Sequence, residues 1–187
     1  MSRIRSSDIL EELSIDAEVK CYEGVEPEIT DVKCTDILPQ LSRGGARAKE
    51  VAYARLYKHQ LEALSELQKG NNIILISGTG SGKTEAWLLY ALSKKKRVLV
   101  IYPTLALSAD QIKRIEDYSK AISSSDYVIK IDRPSINAFS GADISAKIRN
   151  ANIVITNPAF LMSDLKRAAS RPSGSYLLPF LRITDLV

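Results

Sequence analysis

Cysteine, histidine and long apolar runs are what this sequence has least of. Its two cysteines, Cys21 and Cys34, are accompanied by a single histidine, His59, and no zinc site can be assembled from that inventory at the usual spacings. The thiols read as reduced and ordinary, with a disulfide between them the alternative in a hyperthermophile source. No stretch approaches the length needed to span a bilayer, and Met1–Asp8 lacks the apolar run of a secretory signal. The expectation is a soluble, cytoplasmic protein with no membrane partner. Nor does one sign of charge dominate: 26 basic against 22 acidic residues leave +4. A pI near 9.0 is compatible with a polyanionic partner without requiring one. No repeat at solenoid periods is visible.

What is present is an ordinary globular composition, 45% hydrophobic and 26% charged over 187 residues, which excludes disorder over the whole length. That size suits one domain with one substantial core. Residues 1–50 read as an N-terminal arm, with a short helix over Asp8–Leu13 and an alternating strand candidate at Glu28–Lys33. From residue 51 to 187 the pattern turns regular. Leu61, Leu64 and Leu67 recur at helical spacing up to Lys69-Gly70, a basic last turn and a C-cap glycine. Ile73–Ile76 and Val98–Ile101 are apolar runs suited to buried strands, as are Tyr127–Ile131 and Ile153–Ile155. Helices are expected over Glu85–Leu92, Leu105–Ile115, Ala142–Ile148 and Pro158–Lys166, and a mobile loop over Ala168–Ser175. The alternation predicts an α/β fold, a parallel sheet with helices on both faces.

The most informative segment is Ser77-Gly78-Thr79-Gly80-Ser81-Gly82-Lys83-Thr84, set between the apolar run Ile73–Ile76 and a helix beginning near Glu85. A strand, a Gly-rich loop and a helix in that order make a phosphate cradle: backbone N–H groups converge without a Cβ in the way, and the helix N-terminus adds partial positive charge. Lys83 is the expected partner of the β- and γ-phosphates and Thr84 of Mg²⁺. Ser77 stands where the strict pattern has Gly. These residues, with Glu85, form the candidate nucleotide site, and Lys83 and Thr84 are the candidate catalytic residues.

Four further segments align with this loop, and together they resemble the first RecA-like domain of superfamily 2 helicases of the DEAD/DEAH-box type. Tyr57-Lys58-His59-Gln60 is similar to the Q motif, in which the glutamine reads adenine; Gln60 can donate to N7 and accept from N6 at once, with Tyr57 or Arg55 available to stack on the base. Pro103-Thr104-Leu105, with Gln111 further on, resembles motif Ia, and Ser140-Gly141 occupies the place of motif Ib. Ala151–Pro158 is similar to the strand and turn that follow, where Thr156, Asn157 and Pro158 are expected to grip the same nucleic-acid strand. Such a groove tracks phosphates whatever the base sequence, as a motor requires.

The resemblance implies a three-layer P-loop fold, ATP and Mg²⁺ as cofactors, and a nucleic acid as partner, with DNA favoured over RNA although no residue here bears on the choice. The family continues to an Asp-Glu strand and a second RecA-like domain, whereas this sequence ends at Asp185-Leu186-Val187. The expectation is therefore a domain that stops before motif II, binds ATP and hydrolyses it poorly, its parent being a helicase or translocase. Asp185 is a poor stand-in for the absent Asp, since Leu181–Thr184 makes a poor buried strand and no Glu follows. Two rival readings are a nucleotide-dependent module docking on another chain and a translocase subunit of a restriction-type enzyme. A third is a vestigial loop.

Overall fold

A computed structural model describes residues 27–122, 127–132 and 141–187. The Asp8–Leu13 helix, Cys21 and Ser140 lie outside the described residues. In chain order the elements are β1 (Ile29–Lys33), α1 (Cys34–Ile37), α2 (Ala46–Val51), β2 (Arg55–Tyr57), α3 (Lys58–Gln68), α4 (Lys83–Ser93), β3 (Val98–Ile101), α5 (Leu105–Ser119), β4 (Val128–Lys130), α6 (Gly141–Asn150), β5 (Ile153–Thr156), α7 (Pro158–Ser170) and α8 (Leu178–Leu181).

β3, β5 and β4 form a parallel sheet with β5 in the middle. The register runs Val98↔Ile153 to Ile101↔Thr156 on one side of β5 and Val128↔Ile153 to Lys130↔Ile155 on the other. Every residue of β5 is buried, which is what an all-apolar run without alternation predicts for a strand covered on both faces. Side chains of successive strand residues alternate between two cores. Val98, Ile153 and Ile155 join Leu88, Leu92, Ile115 and Tyr118 on the α4–α5 side. Leu99 and Val154 join Ile144, Ile148, Phe160 and Phe180 on the α6–α8 side. The result is the expected three layers.

The segment 28–57 is built into the first of these cores. β1 and β2 pair antiparallel, and Cys34, Leu38, Leu41, Ala48 and Leu56 pack with Leu88 and Leu89 of α4. The N-terminus of α2 has no cap of its own. Asp117 of α5 supplies one, its Oδ2 accepting from Arg47 N–H at 2.7 Å and Ala48 N–H at 3.3 Å. Gly45 permits that approach, because a Cβ there would lie 1.6 Å from Asp117 Oδ1.

One expected strand is absent. Ile73–Ile76 belongs to no sheet, and its Ile74 and Ile76 are 91% and 90% exposed. Apolar sequence specifies a strand only when a neighbour supplies the ladder, and here β3 lies across a cavity of about 770 Å³ lined by Ile73 and Leu75 on one side and Val98–Ile101 on the other. Among the described residues only Leu186 bridges that edge of β3, in a parallel bridge to Val98 with Leu99 N–H donating to Leu186 O at 2.9 Å. Asp185 sits before it, its carboxylate held by Arg97 N–H and Lys96 Nζ and lowered in pKa by those bonds. It therefore stands beside the residue that precedes β3, engaged in an ion pair.

The expected loop over Ala168–Ser175 is more ordered than its composition suggests. α7 runs to Ser170, and a 3₁₀ turn covers Pro172–Gly174. Asp164, fully buried, accepts from Ser175 Oγ, Tyr176 N–H and Leu177 N–H, pinning the chain that follows.

Candidate nucleotide site

α4 begins at Lys83 with Gly82 as its N-cap, in the left-handed region at φ 73° and with no side-chain cap. Glu85 N–H turns back to Gly82 O at 3.1 Å, and the N–H groups of Lys83 and Thr84 at the start of this eleven-residue helix are left for another acceptor. Gly80 is also left-handed, at φ 79°, and nothing stands within 4 Å of where a Cβ of Gly78 or Gly80 would be. The loop is open above its glycines. Gly82 is closed from below, where a Cβ would meet Gln60 Nε2 at 2.2 Å. Ser77 Oγ and Ser81 Oγ lie 2.6 Å apart and clasp the two ends of the loop, so the serine that departs from the strict pattern makes a contact glycine could not.

Lys83 is exposed and folds back on the loop, donating to Ser77 O at 2.9 Å and Gly78 O at 2.7 Å. An ammonium has three donors and no acceptor, so these carbonyls occupy places that phosphate oxygens can take with full charge complementarity. Thr84 is half-buried, and its Oγ1 donates to Gln111 Oε1 of α5 at 3.3 Å. Among the described residues no group of three His, Cys, Asp or Glu side chains could hold a metal ion. A divalent cation here would rest on Thr84 and on oxygens of the nucleotide. The helix start without a side-chain cap, the open glycines and the exposed lysine, held only by loop carbonyls, fit a nucleotide phosphate chain.

Glu85 requires a correction. It was grouped with the nucleotide contacts, yet its side chain is buried and turned to α5, where Oε1 takes an ion pair from Arg114 and a 2.9 Å hydrogen bond from Tyr118. Burial acts against the charge of Arg114, and the adjoining Glu85 and Tyr118 outweigh it, so its pKa is raised. Burial, reinforced by Glu85, drives the Tyr118 phenol upward as well.

Gln60 is 5% exposed and engaged at both ends. Its Oε1 accepts from Tyr57 N–H at 2.8 Å, closing the first turn of α3, and its Nε2 donates to Gly82 O at 2.8 Å. A second N–H and a second lone pair remain on the amide. Tyr57 stacks on His59, ring centroids 5.6 Å apart, and Arg55 faces Asp31 at 3.4 Å. His59 was passed over in the sequence and belongs to the same connection: its Nε2 lies 2.9 Å from Ser81 O, and because a carbonyl only accepts, Nε2 carries the proton. Two pairs of consecutive residues, 59–60 and 81–82, are therefore stitched together.

The two turns expected to meet nucleic acid follow strands β3 and β5, which pair in parallel, so both lie at carboxyl ends of the sheet. Pro103, Thr104 and Leu105 are exposed, and Thr104 caps α5 by accepting from Leu107 N–H at 3.2 Å. Asn157 caps α7 through Phe160 N–H at 2.9 Å, and Pro158 is exposed. Thr156 is turned inward, 1% exposed, with its hydroxyl donating to Ile131 O at 2.8 Å. Gly141 opens α6, 3.4 Å from Tyr176 Oη by its Cβ position.

Comparison with known proteins agrees with this geometry. Residues 57–178 match the family model of the DEAD/DEAH box helicase. The chain is 33% identical over 116 residues to an uncharacterized ATP-dependent helicase, YprA, of Bacillus subtilis, covering 59% of this chain and 15% of that one. It is 26% identical over 141 residues to the ATP-dependent helicase HRQ1 of Saccharomyces cerevisiae, covering 71% and 12%. The chain thus spans less than a sixth of either relative. Among solved structures, the DUF1998 helicase MrfA bound to DNA and AMPPNP superposes with a TM-score of 0.58 at 25% identity, over 96% of this chain and 24% of that one. A hypothetical ATP-dependent RNA helicase from Sulfolobus tokodaii shares the fold, with a TM-score of 0.55 at 21% identity. No helix among the described residues is long and apolar enough to cross a membrane. The chain belongs to the DEAD/DEAH box helicase family.

Proposed function

We propose that this chain is the ATP-binding wall of a helicase or translocase whose parent couples ATP hydrolysis to movement on, or unwinding of, nucleic acid. The observation that carries the reading is the uncapped start of α4, with Lys83 and the open glycines around it. In this reading the N–H groups of the loop and of α4 bind the β- and γ-phosphates, Lys83 leaves the Ser77 and Gly78 carbonyls for them, and Thr84 contacts Mg²⁺. Mg²⁺ supplies charge neutralisation between the terminal phosphates. Gln60 reads adenine with the N–H and lone pair that Gly82 and Tyr57 leave over, which links base recognition to the loop directly. Glu85 holds the loop helix on α5 rather than touching nucleotide.

The exposed Thr104 and Pro158 turns form one wall of a groove for a nucleic-acid backbone. DNA is favoured over RNA, supported by MrfA, which was solved with DNA. Glu85, the carboxylate beside Thr84, is committed to Arg114 and Tyr118 rather than to water, and in this reading the chain by itself binds ATP and turns it over negligibly. Equilibrium binding of a fluorescent ATP analogue with Mg²⁺ tests the reading. Saturable binding that Lys83→Ala abolishes is the expected result. Equal binding by both proteins, or none, overturns it, and substantial Lys83-dependent hydrolysis by pure protein overturns the claim of negligible turnover.

A further inference from the structure

The face of α5 turned to the phosphate loop is polar where an amphipathic helix would bury aliphatic residues. Gln111, Arg114 and Tyr118 share it at helical spacing. Arg114 and Tyr118 both serve Glu85 Oε1 and so fix the first turn of α4 against α5. Gln111 meets the neighbouring residue, Thr84. Its amide orientation follows from its partners: Nε2 donates to Asp110 Oδ2 at 3.1 Å, a carboxylate oxygen that only accepts, and this leaves Oε1 to face Thr84. Gln111, Gly82, Lys83 and Thr84 all line the same cavity.

A threonine hydroxyl carries one hydrogen and two lone pairs. While its hydrogen is directed to Gln111 Oε1, the lone pairs of Thr84 Oγ1 face away from α5. We propose that Gln111 is a positioning residue for Thr84, taking the hydroxyl proton so that an Oγ1 lone pair is presented to the divalent cation that arrives with the nucleotide. The inference rests on the reading of Ser77–Thr84 as a magnesium-nucleotide site. At 3.3 Å the bond is long for O–H···O; a cation held by Oγ1 would make the hydroxyl a better donor to Gln111.

The test is the affinity of a fluorescent ATP analogue measured once with Mg²⁺ and once with EDTA. Gln111→Met, near-isosteric and a good helix former, removes the acceptor, and Gln111→Glu keeps one. The expected result is that Gln111→Met loses about threefold to tenfold of the magnesium-dependent gain in affinity, the size of one hydrogen bond, with affinity in EDTA unchanged. Gln111→Glu retains the gain. Thr84→Ala loses it too, and Thr84→Ala with Gln111→Met loses no more than Thr84→Ala alone. An undiminished gain in Gln111→Met, or additive losses in the double variant, overturns the proposal. So does weaker binding in both conditions with a lowered melting temperature, the signature of a structural role. Absence of saturable binding by the wild type overturns the nucleotide reading and this inference together, whereas Lys83-dependent binding indifferent to Gln111 overturns this inference alone.

Discussion

At the scale of single residues, the site is arranged by groups that never reach the loop mouth. Cys34 is one such group, buried 97% in the core beneath α4 with 3% exposed; burial, aided by the negative charge of Glu85, pushes its thiol up to about 11 from an ordinary 9.0. The neutral thiol is the folded form. The unfolded chain gives up that proton near its ordinary value while the folded one keeps it, so this contribution to stability is complete below pH 9.0 and is lost as pH rises toward about 11. Cys34 should resist iodoacetamide at pH 8 and react on addition of denaturant, read by mass spectrometry of its peptide. Rapid alkylation of native protein would contradict the burial. The glycine turns and the helix start of the loop were legible in Ser77–Thr84, since Gly80 and Gly82 are left-handed and α4 begins at Lys83. The partners of Gln60 and Glu85 were not, since an amide or carboxylate beside a motif gives no sign of Gly82 or Arg114 across the chain.

At the scale of elements, helix starts were readable from sequence and their long-range caps were not. Thr104 and Asn157 precede α5 and α7 and cap them through their own third residue, a local rule. The run Val98–Ile101 was found at its true bounds, because four apolar residues without alternation suit a strand buried on both faces. Ile73–Ile76 is equally apolar and has no ladder, since composition does not name a neighbour. The cap of α2 comes from Asp117, far along the chain, and nothing near residue 46 announces it. Asp117→Ala is expected to destabilise the protein by about 1 kcal/mol, the usual cost of a lost cap, measured by denaturant titration. Gly45→Ala should do at least as much harm, by displacing the same carboxylate. A neutral outcome for both would remove Asp117 from the account of α2.

At the scale of the whole molecule, β4 and β3 flank β5 as the two edges of the sheet, and among the described residues only Leu186 makes a bridge beyond β3. The next residues along that edge face the 770 Å³ cavity with Ile101 partly exposed. An open, apolar edge is a template for another strand. Pure protein should therefore self-associate as concentration rises, and Ile101→Lys, a charge at the edge, should reduce this in sedimentation velocity. Concentration-independent monomers of the unaltered chain would count against it. The doubly covered parallel sheet was predictable from alternating helix and strand patterns, and so was an arm packed on the main domain, whereas the particular partners of residues 28–57 on α4 and α5 were not, for they depend on contacts between distant parts of the sequence.

The clasp between Asp117 and the start of α2 has a bearing on how the protein is made. Arg47 and Asp117 are 70 positions apart, so while the chain is being synthesised α2 has no acceptor for its first N–H groups until all of α5 up to Asp117 has left the ribosome. Until then Leu38, Leu41 and Ala48 lack the helices they pack against. Residues 34–56 are obliged to wait for the middle of the sequence, and their apolar side chains stay uncovered until it arrives.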